Sequence, residues 1–123
     1  MADTHLDRDV LSALQEVMED EYPMLLGTFL ADSEERLSKL HSAGDAETLG
    51  ATAHSFKGSC SNMGAVRLAK LCHDLEQCAM QKNFLEGIEK LVGEIDGEFA
   101  IIRPLYEAER QRSLADSAAV RRF

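Results

Sequence analysis

His54 is the residue whose type and setting in this sequence most suggest chemistry. An exposed imidazole is mostly unprotonated at neutral pH, which makes it a competent nucleophile. Gly50 and Gly58 stand four residues before and after it, Lys57 three residues on, and Ser61 further along. On a helix that turns about 100° per residue, these five positions fall on one face. Lys57 sits one turn from His54, so its ammonium reaches a group carried on the ring. A phosphoryl group there would bring close to two negative charges, which such a lysine partly neutralises.

That face points away from an apolar seam. Leu49, Ala53, Phe56, Cys60 and Met63 recur at alternating spacings of four and three, the pattern of a helix packed in a bundle. His54 lies about 140° from the centre of that seam and so points to solvent. Each glycine inside a helix costs about 1 kcal/mol against alanine, so two bracketing one exposed histidine need a reason. Either another helix approaches closely, or a partner protein must bring its surface up to the ring. The seam places both glycines away from the core, which favours the partner.

The elements that must hold this face are all helical. No segment sustains strand alternation, and the two prolines are Pro23 and Pro104. A first helix is expected over about 7–20, with Val10, Leu14, Val17 and Met18 on its apolar side. Pro23 opens a second, where its missing N–H costs nothing. Leu26, Phe29, Leu30, Ser33, Leu37 and Leu40 form its stripe, and Gly44 is a natural stop. Asp45 caps the third helix and Gly64 ends it in a left-handed turn. Leu68, Leu71, Cys72, Leu75, Cys78 and Ala79 face inward from the fourth. After a break at Lys82 and Asn83, a last helix carries Ile88, Leu91, Val92, Ile95, Phe99 and Ile102 until Pro104 ends or kinks it. The expected architecture is all-α: an antiparallel four-helix bundle with an additional short N-terminal helix packed across it. Residues 5–112 should form the domain and residues 113–123 a flexible C-terminal tail.

Composition narrows the function classes. The chain has 123 residues, enough for one core, and a hydrophobic fraction of 45% argues against disorder. With no Trp, five Phe and two Tyr, that core must be mostly aliphatic. A net charge of −9 excludes nucleic acid as the main partner and disfavours an anionic membrane surface. No apolar run has the length of a spanning helix, and the opening MADTHLDRDV is unlike a secretory signal, so the cytoplasm is expected. Cys60, Cys72 and Cys78 contain no CxxC pair and should be free thiols packed as small hydrophobes. A metal site built from them with His73 lacks paired ligand spacing, so no metal is expected.

Residues 53–76, AHSFKGSCSNMGAVRLAKLCHDLE, resemble the signature of histidine-containing phosphotransfer (HPt) domains: AHxxKGxxxxxGA, then a Leu, a small residue and a closing LE. Residues 29–45, FLADSEERLSKLHSAGD, are similar to the second helix and corner of that family. The match spans most of the chain and extends to its stand-alone bacterial members. The resemblance implies a four-helix bundle that carries a phosphoryl group without enzymatic activity of its own. His54 would take the group on Nε2 from an aspartyl phosphate in the receiver domain of a hybrid sensor kinase. It would then pass the group to the aspartate of a response regulator. Lys57 matches the family lysine beside the phosphoryl group, Gly58 the small residue that admits the partner, and Gly64 and Ala65 the corner between the central helices. The chain itself would need no cofactor, the Mg²⁺ belonging to the receiver. Gly50 lies outside the motif, and its docking role rests on its position alone.

Other readings have less support. The dimerising domain of a sensor kinase normally has an acidic residue after its histidine and a proline soon after. Here Ser55 follows His54 and the third helix has no proline. No glycine-rich phosphate loop is present, so no self-phosphorylation is expected. A helical adaptor that binds signalling partners without phosphorylation would leave the paired glycines unexplained. His5 falls in a frayed terminus, His41 at a helix end, and His73 on a solvated face. The docking surface is expected around His54, with Gly50, Gly58 and Ser61, and with Lys57, Arg67 and Lys70 as a local positive patch toward acidic receiver sites. A monomer is the simplest state for a carrier that meets partners in turn.

Overall fold

The computed structural model describes residues 5–81 and 85–121, and every regular element among them is helical. Helix α1 spans Arg8–Met18, followed by a 3₁₀ turn at Glu19–Glu21. Helices α2 (Tyr22–Ser42), α3 (Ala46–Asn62), α4 (Val66–Gln81) and α5 (Leu85–Arg121) form the bundle. Each packs on the next, and α5 closes the ring against α2. Their antiparallel course shows in side-chain pairs: Tyr22 meets Glu109 while His41 meets Asp96, and His54 meets Glu76.

Local signals set the helix ends. Asp7 caps α1 by accepting from the backbone N–H groups of Asp9 and Val10, and Asp45 caps α3 by accepting from Thr48 at 2.6 Å. That backbone hydrogen bond from Thr48 also holds the Asp45 carboxyl below its ordinary pKa. Pro23 stands at the start of α2, where its ring costs no hydrogen bond. Gly64 closes α3 with φ +75°, and the Ala65 N–H donates to the Cys60 carbonyl at 2.9 Å across that turn. Gly64 is also tightly packed: a Cβ there would lie 2.9 Å from the Asp7 carbonyl oxygen and 3.2 Å from Val10 Cβ. The Asp7 N–H donates to the Gly64 carbonyl at 2.7 Å, which ties the N-terminal segment to the α3–α4 corner.

The core is aliphatic with a few aromatic anchors. Leu49, Ala53, Phe56, Cys60 and Met63 are all buried, as the seam requires. So are Leu68, Cys72, Leu75 and Ala79 of α4, while Leu71 and Cys78 are half-buried. The three cysteines are free thiols. Burial, aided by a hydrogen bond with Cys72, pushes the Cys60 thiol far above its ordinary pKa and makes it a hydrophobe rather than a nucleophile. Tyr106 packs its ring 5.0 Å from that of Phe29 and donates from its hydroxyl to the Met63 carbonyl at 2.6 Å.

Three expectations need correction. Helix α5 does not stop at Pro104 but runs to Arg121, with no break at 112/113. Pro104 lies on the exposed side of α5, where the carbonyl it leaves unbonded faces water, and beyond it Tyr106 and Ser113 are buried. Residues 113–121, where a tail is expected, continue that helix. Arg112 secures this stretch through ion pairs with Glu109 and Asp116 and a hydrogen bond to Gln15 of α1. Second, Val17 is 79% exposed, and α1 instead buries Leu11, with Leu14 and Met18 against the core. Third, His5 is not frayed: its Nδ1 lies 2.7 Å from Oε2 of the buried Glu98. The end of α2 falls where Gly44 marked it, at Ser42 with Ala43 as its extended C-cap. The expected break at Lys82 and Asn83 lies outside the described residues.

Candidate functional site

The buried seam of α3 turns His54 outward, and its side chain is 68% exposed. Its Nδ1 lies 2.7 Å from Oε2 of Glu76, on the adjacent face of α4. The other oxygen of Glu76, Oε1, accepts from Lys57 Nζ at 2.7 Å. One carboxylate thus joins these two side chains of α3 and holds both. Lys57 is half-buried, and its ammonium is held by the same carboxylate that meets the ring.

The electrostatics follow from that geometry. The Glu76 carboxyl is held below its ordinary pKa chiefly by the hydrogen bond from Lys57, with a further contribution from His54 and against some desolvation. An ionised carboxylate only accepts, so Nδ1 of His54 is the donor, and in the neutral imidazole the lone pair is on Nε2. Among the described residues Nε2 has no hydrogen-bond partner. The site therefore presents an oriented nucleophile at an open surface, with an ammonium close by to meet incoming negative charge.

Gly58 is open: a Cβ built there meets no heavy atom within 4 Å. Gly50 is different. It is half-buried, and a Cβ there would lie 3.5 Å from that of Ala79 on α4. At 3.5 Å that is ordinary van der Waals contact, so the packing of α4 leaves room for a methyl group at Gly50, while Gly58 faces open space. Gly50 still lines a shallow groove of about 600 Å³ beside His54, with Glu76, Ala79 and Met80 on the α4 side. Ser61 is exposed further along α3 and makes no side-chain hydrogen bond among those described.

The expected positive patch is weaker than the sequence suggests, because each of its cations has an acidic partner. Lys57 bonds Glu76, Arg67 Nε lies 3.3 Å from Glu98, and Lys70 Nζ lies 3.7 Å from Asp74. Arg67 and Lys70 stand at the start of α4, away from the cluster at His54. The residue that sequence reasoning missed is Glu76. Its only signal was the acidic residue closing the LE of the motif, which the helical pattern assigned to the solvated surroundings of His73. Among the described residues, no group of three or more His, Cys, Asp or Glu side chains is placed to hold a metal ion. None of their helices is long and apolar enough to cross a membrane.

Comparison with known proteins agrees with this arrangement. Residues 24–103 match the Hpt domain family. The crystal structure of histidine-containing phosphotransfer protein B (HptB) from Pseudomonas aeruginosa PAO1 superposes with a TM-score of 0.86 at 54% identity, covering 90% of this chain and 98% of that one. Histidine-containing phosphotransfer protein 2 of Arabidopsis thaliana is 28% identical over 105 residues, which is 77% of this chain and 67% of that protein. A rice protein described as a putative histidine-containing phosphotransfer protein shares the fold, with a TM-score of 0.80 at 16% identity. The chain belongs to the Hpt domain family. Its role is phosphotransfer in a two-component phosphorelay, and it is of the HptB type.

Proposed function

We propose that His54 is the phosphoacceptor and that it exchanges the group with receiver-domain aspartates. In the forward step the Nε2 lone pair attacks the phosphorus of an aspartyl phosphate. The N–P bond forms, the acyl-phosphate P–O bond breaks, and the aspartate leaves as a carboxylate. The imidazole then carries a positive charge, which the Glu76 carboxylate stabilises through Nδ1–H while Lys57 faces the phosphoryl oxygens. The reverse sequence delivers the group to the aspartate of a response regulator. The receiver supplies the Mg²⁺, and this chain supplies neither a metal nor autokinase activity. The carrier acts as a monomer in the cytoplasm, meeting a hybrid sensor kinase and a response regulator in turn.

The observation that carries this reading is the single carboxylate of Glu76 bonded to both His54 Nδ1 and Lys57 Nζ. It gives an exposed imidazole one defined nucleophilic nitrogen. The test is transfer of labelled phosphate from a phosphorylated receiver to wild type and to His54→Gln. Acid-labile, alkali-stable label on wild type alone supports the reading. Equal label on both proteins overturns the assignment to His54, and no label on either, across several receivers, leaves a non-phosphorylated adaptor.

A further inference from the structure

The groove between α3 and α4 has His54 on its wall and is otherwise mostly apolar. Small residues form its surface, Ala46, Gly50 and Ala51 of α3 and Ala79 of α4, with Met80 beside them. Met80 is 68% exposed, a large apolar side chain left in water near the phosphoacceptor. Gly50 adds an independent observation. A Cβ there would make only ordinary contact with Ala79, so the helix pair does not require glycine, and alanine would favour the helix. What the glycine does provide is space, since a longer side chain at this lining position would occupy the groove.

We infer that this groove reads the partner: when a receiver domain docks on His54, it seats a bulky apolar side chain over Gly50 and Ala79, against Met80. The inference rests on the phosphotransfer reading of His54 and deepens it to partner choice. Continuity carries it, because a domain that brings an aspartyl phosphate to His54 must also cover the groove that His54 lines. The lining then selects the occupant. Its carboxylates are Glu47 and Glu76, and Glu76 is already engaged by His54 and Lys57. An acidic side chain entering there would meet like charge, and an amide oxygen would find no side-chain donor besides the reacting imidazole. A Leu, Ile, Met or Phe side chain would instead remove the exposed thioether and the small-residue surface from water, and methionine adapts to the shape it meets. Gly50 and Met80 are then specificity residues and not catalytic ones.

The experiment is single-turnover transfer from an excess of a phosphorylated receiver that loads the wild type efficiently, with thermal melting of each protein alongside. It yields a limiting rate and a half-saturating receiver concentration. Gly50→Leu fills the groove and should raise the half-saturating concentration roughly tenfold, and Met80→Gln, which keeps length and charge but not apolarity, roughly fivefold. In both, the limiting rate should stay within about twofold and the melting temperature should not fall. Weaker capture of the receiver without loss of stability is a combination that a merely structural role would not give. Met24→Gln, at an equally exposed methionine near the start of α2, should change neither quantity. An unchanged half-saturating concentration in both groove variants, or an equal rise in Met24→Gln, overturns the proposal while the phosphotransfer reading stands. A wild-type dimer that Met80→Gln dissociates in sedimentation would give the groove to a second copy of this chain and overturn it too. A wild type that accepts no label from any receiver overturns both readings.

Discussion

Nδ1 of His54 lies 2.7 Å from Oε2 of Glu76, a residue on the neighbouring helix. That contact makes Nδ1 the donor, because an ionised carboxylate only accepts, and it leaves Nε2 toward solvent. It also limits ring rotation, which an exposed side chain would otherwise retain.

Removing the carboxylate should therefore cost reactivity without removing the nucleophile. Glu76→Ala is expected to slow phosphotransfer roughly tenfold, about 1.4 kcal/mol of transition-state stabilisation, through a mixed tautomer and a freer ring. Glu76→Gln keeps an acceptor for Nδ1–H and should recover part of that loss. Nitrogen NMR of the imidazole reads the tautomer directly: a single Nδ1–H form in wild type and a mixture in Glu76→Ala. The same tautomer ratio in both proteins would remove Glu76 from the mechanism.

Lys57 is expected to have a separate task. In the unphosphorylated protein its ammonium bonds Glu76 at 2.7 Å, and a phosphoryl group on Nε2 offers it a competing anion. Lys57→Ala should still accept label at His54, with the equilibrium phosphorylated fraction lowered by about 10- to 100-fold, matching roughly 1.5–3 kcal/mol for a charged hydrogen bond. Equilibrium titration against a phosphorylated receiver measures this. An unchanged equilibrium would assign Lys57 to holding Glu76 alone.

The glycines of α3 and its corner should respond in opposite senses. Gly58 faces open space, so Gly58→Ala gains helix propensity and is expected to stabilise by about 1 kcal/mol, near 4 °C in melting temperature. Gly58→Phe should fold equally well yet block transfer, since the added ring covers the approach to His54. Gly64→Ala should destabilise by at least roughly 1–2 kcal/mol, because its φ of +75° and the Asp7 carbonyl 2.9 Å from a new Cβ both oppose a side chain. Melting curves and transfer assays on the three variants separate folding from access.

Much of this was legible from period and punctuation. The seam from Leu49 to Met63 located α3 and turned His54 outward, and Asp45 and Gly64 marked its ends. What stayed hidden depended on tertiary neighbours. Gly50 faces Ala79 across a helix pair, a contact that no single-helix projection contains. Glu76 meets His54 only because α4 returns antiparallel at a particular register, so its role was invisible in its own surroundings. Pro104 misled for a local reason: proline predicts an end, but on a helix's water-facing side the loss of one bond is tolerated. Val17 misled because α1 packs across the bundle through Leu11, not along the stripe expected for it.

Acid should expose the same carboxylate by a different route. The hydrogen bond from Lys57, and then that from His54, hold the Glu76 carboxyl below its ordinary value of 4.5. A group whose folded pKa is depressed contributes stability that is fully present above its unfolded value and is lost as pH falls through its folded value. The His54–Glu76–Lys57 bridge should thus be intact at neutral pH and lost only on the acid side of 4.5. A carbon NMR titration of the Glu76 carboxyl should show a midpoint below that value, shifted back toward it in Lys57→Ala. In parallel, the stability difference between wild type and Glu76→Gln should hold from pH 7 to about pH 5 and shrink below that. A Glu76 midpoint at or above 4.5 would mean that in solution the carboxylate is not held between Lys57 and His54.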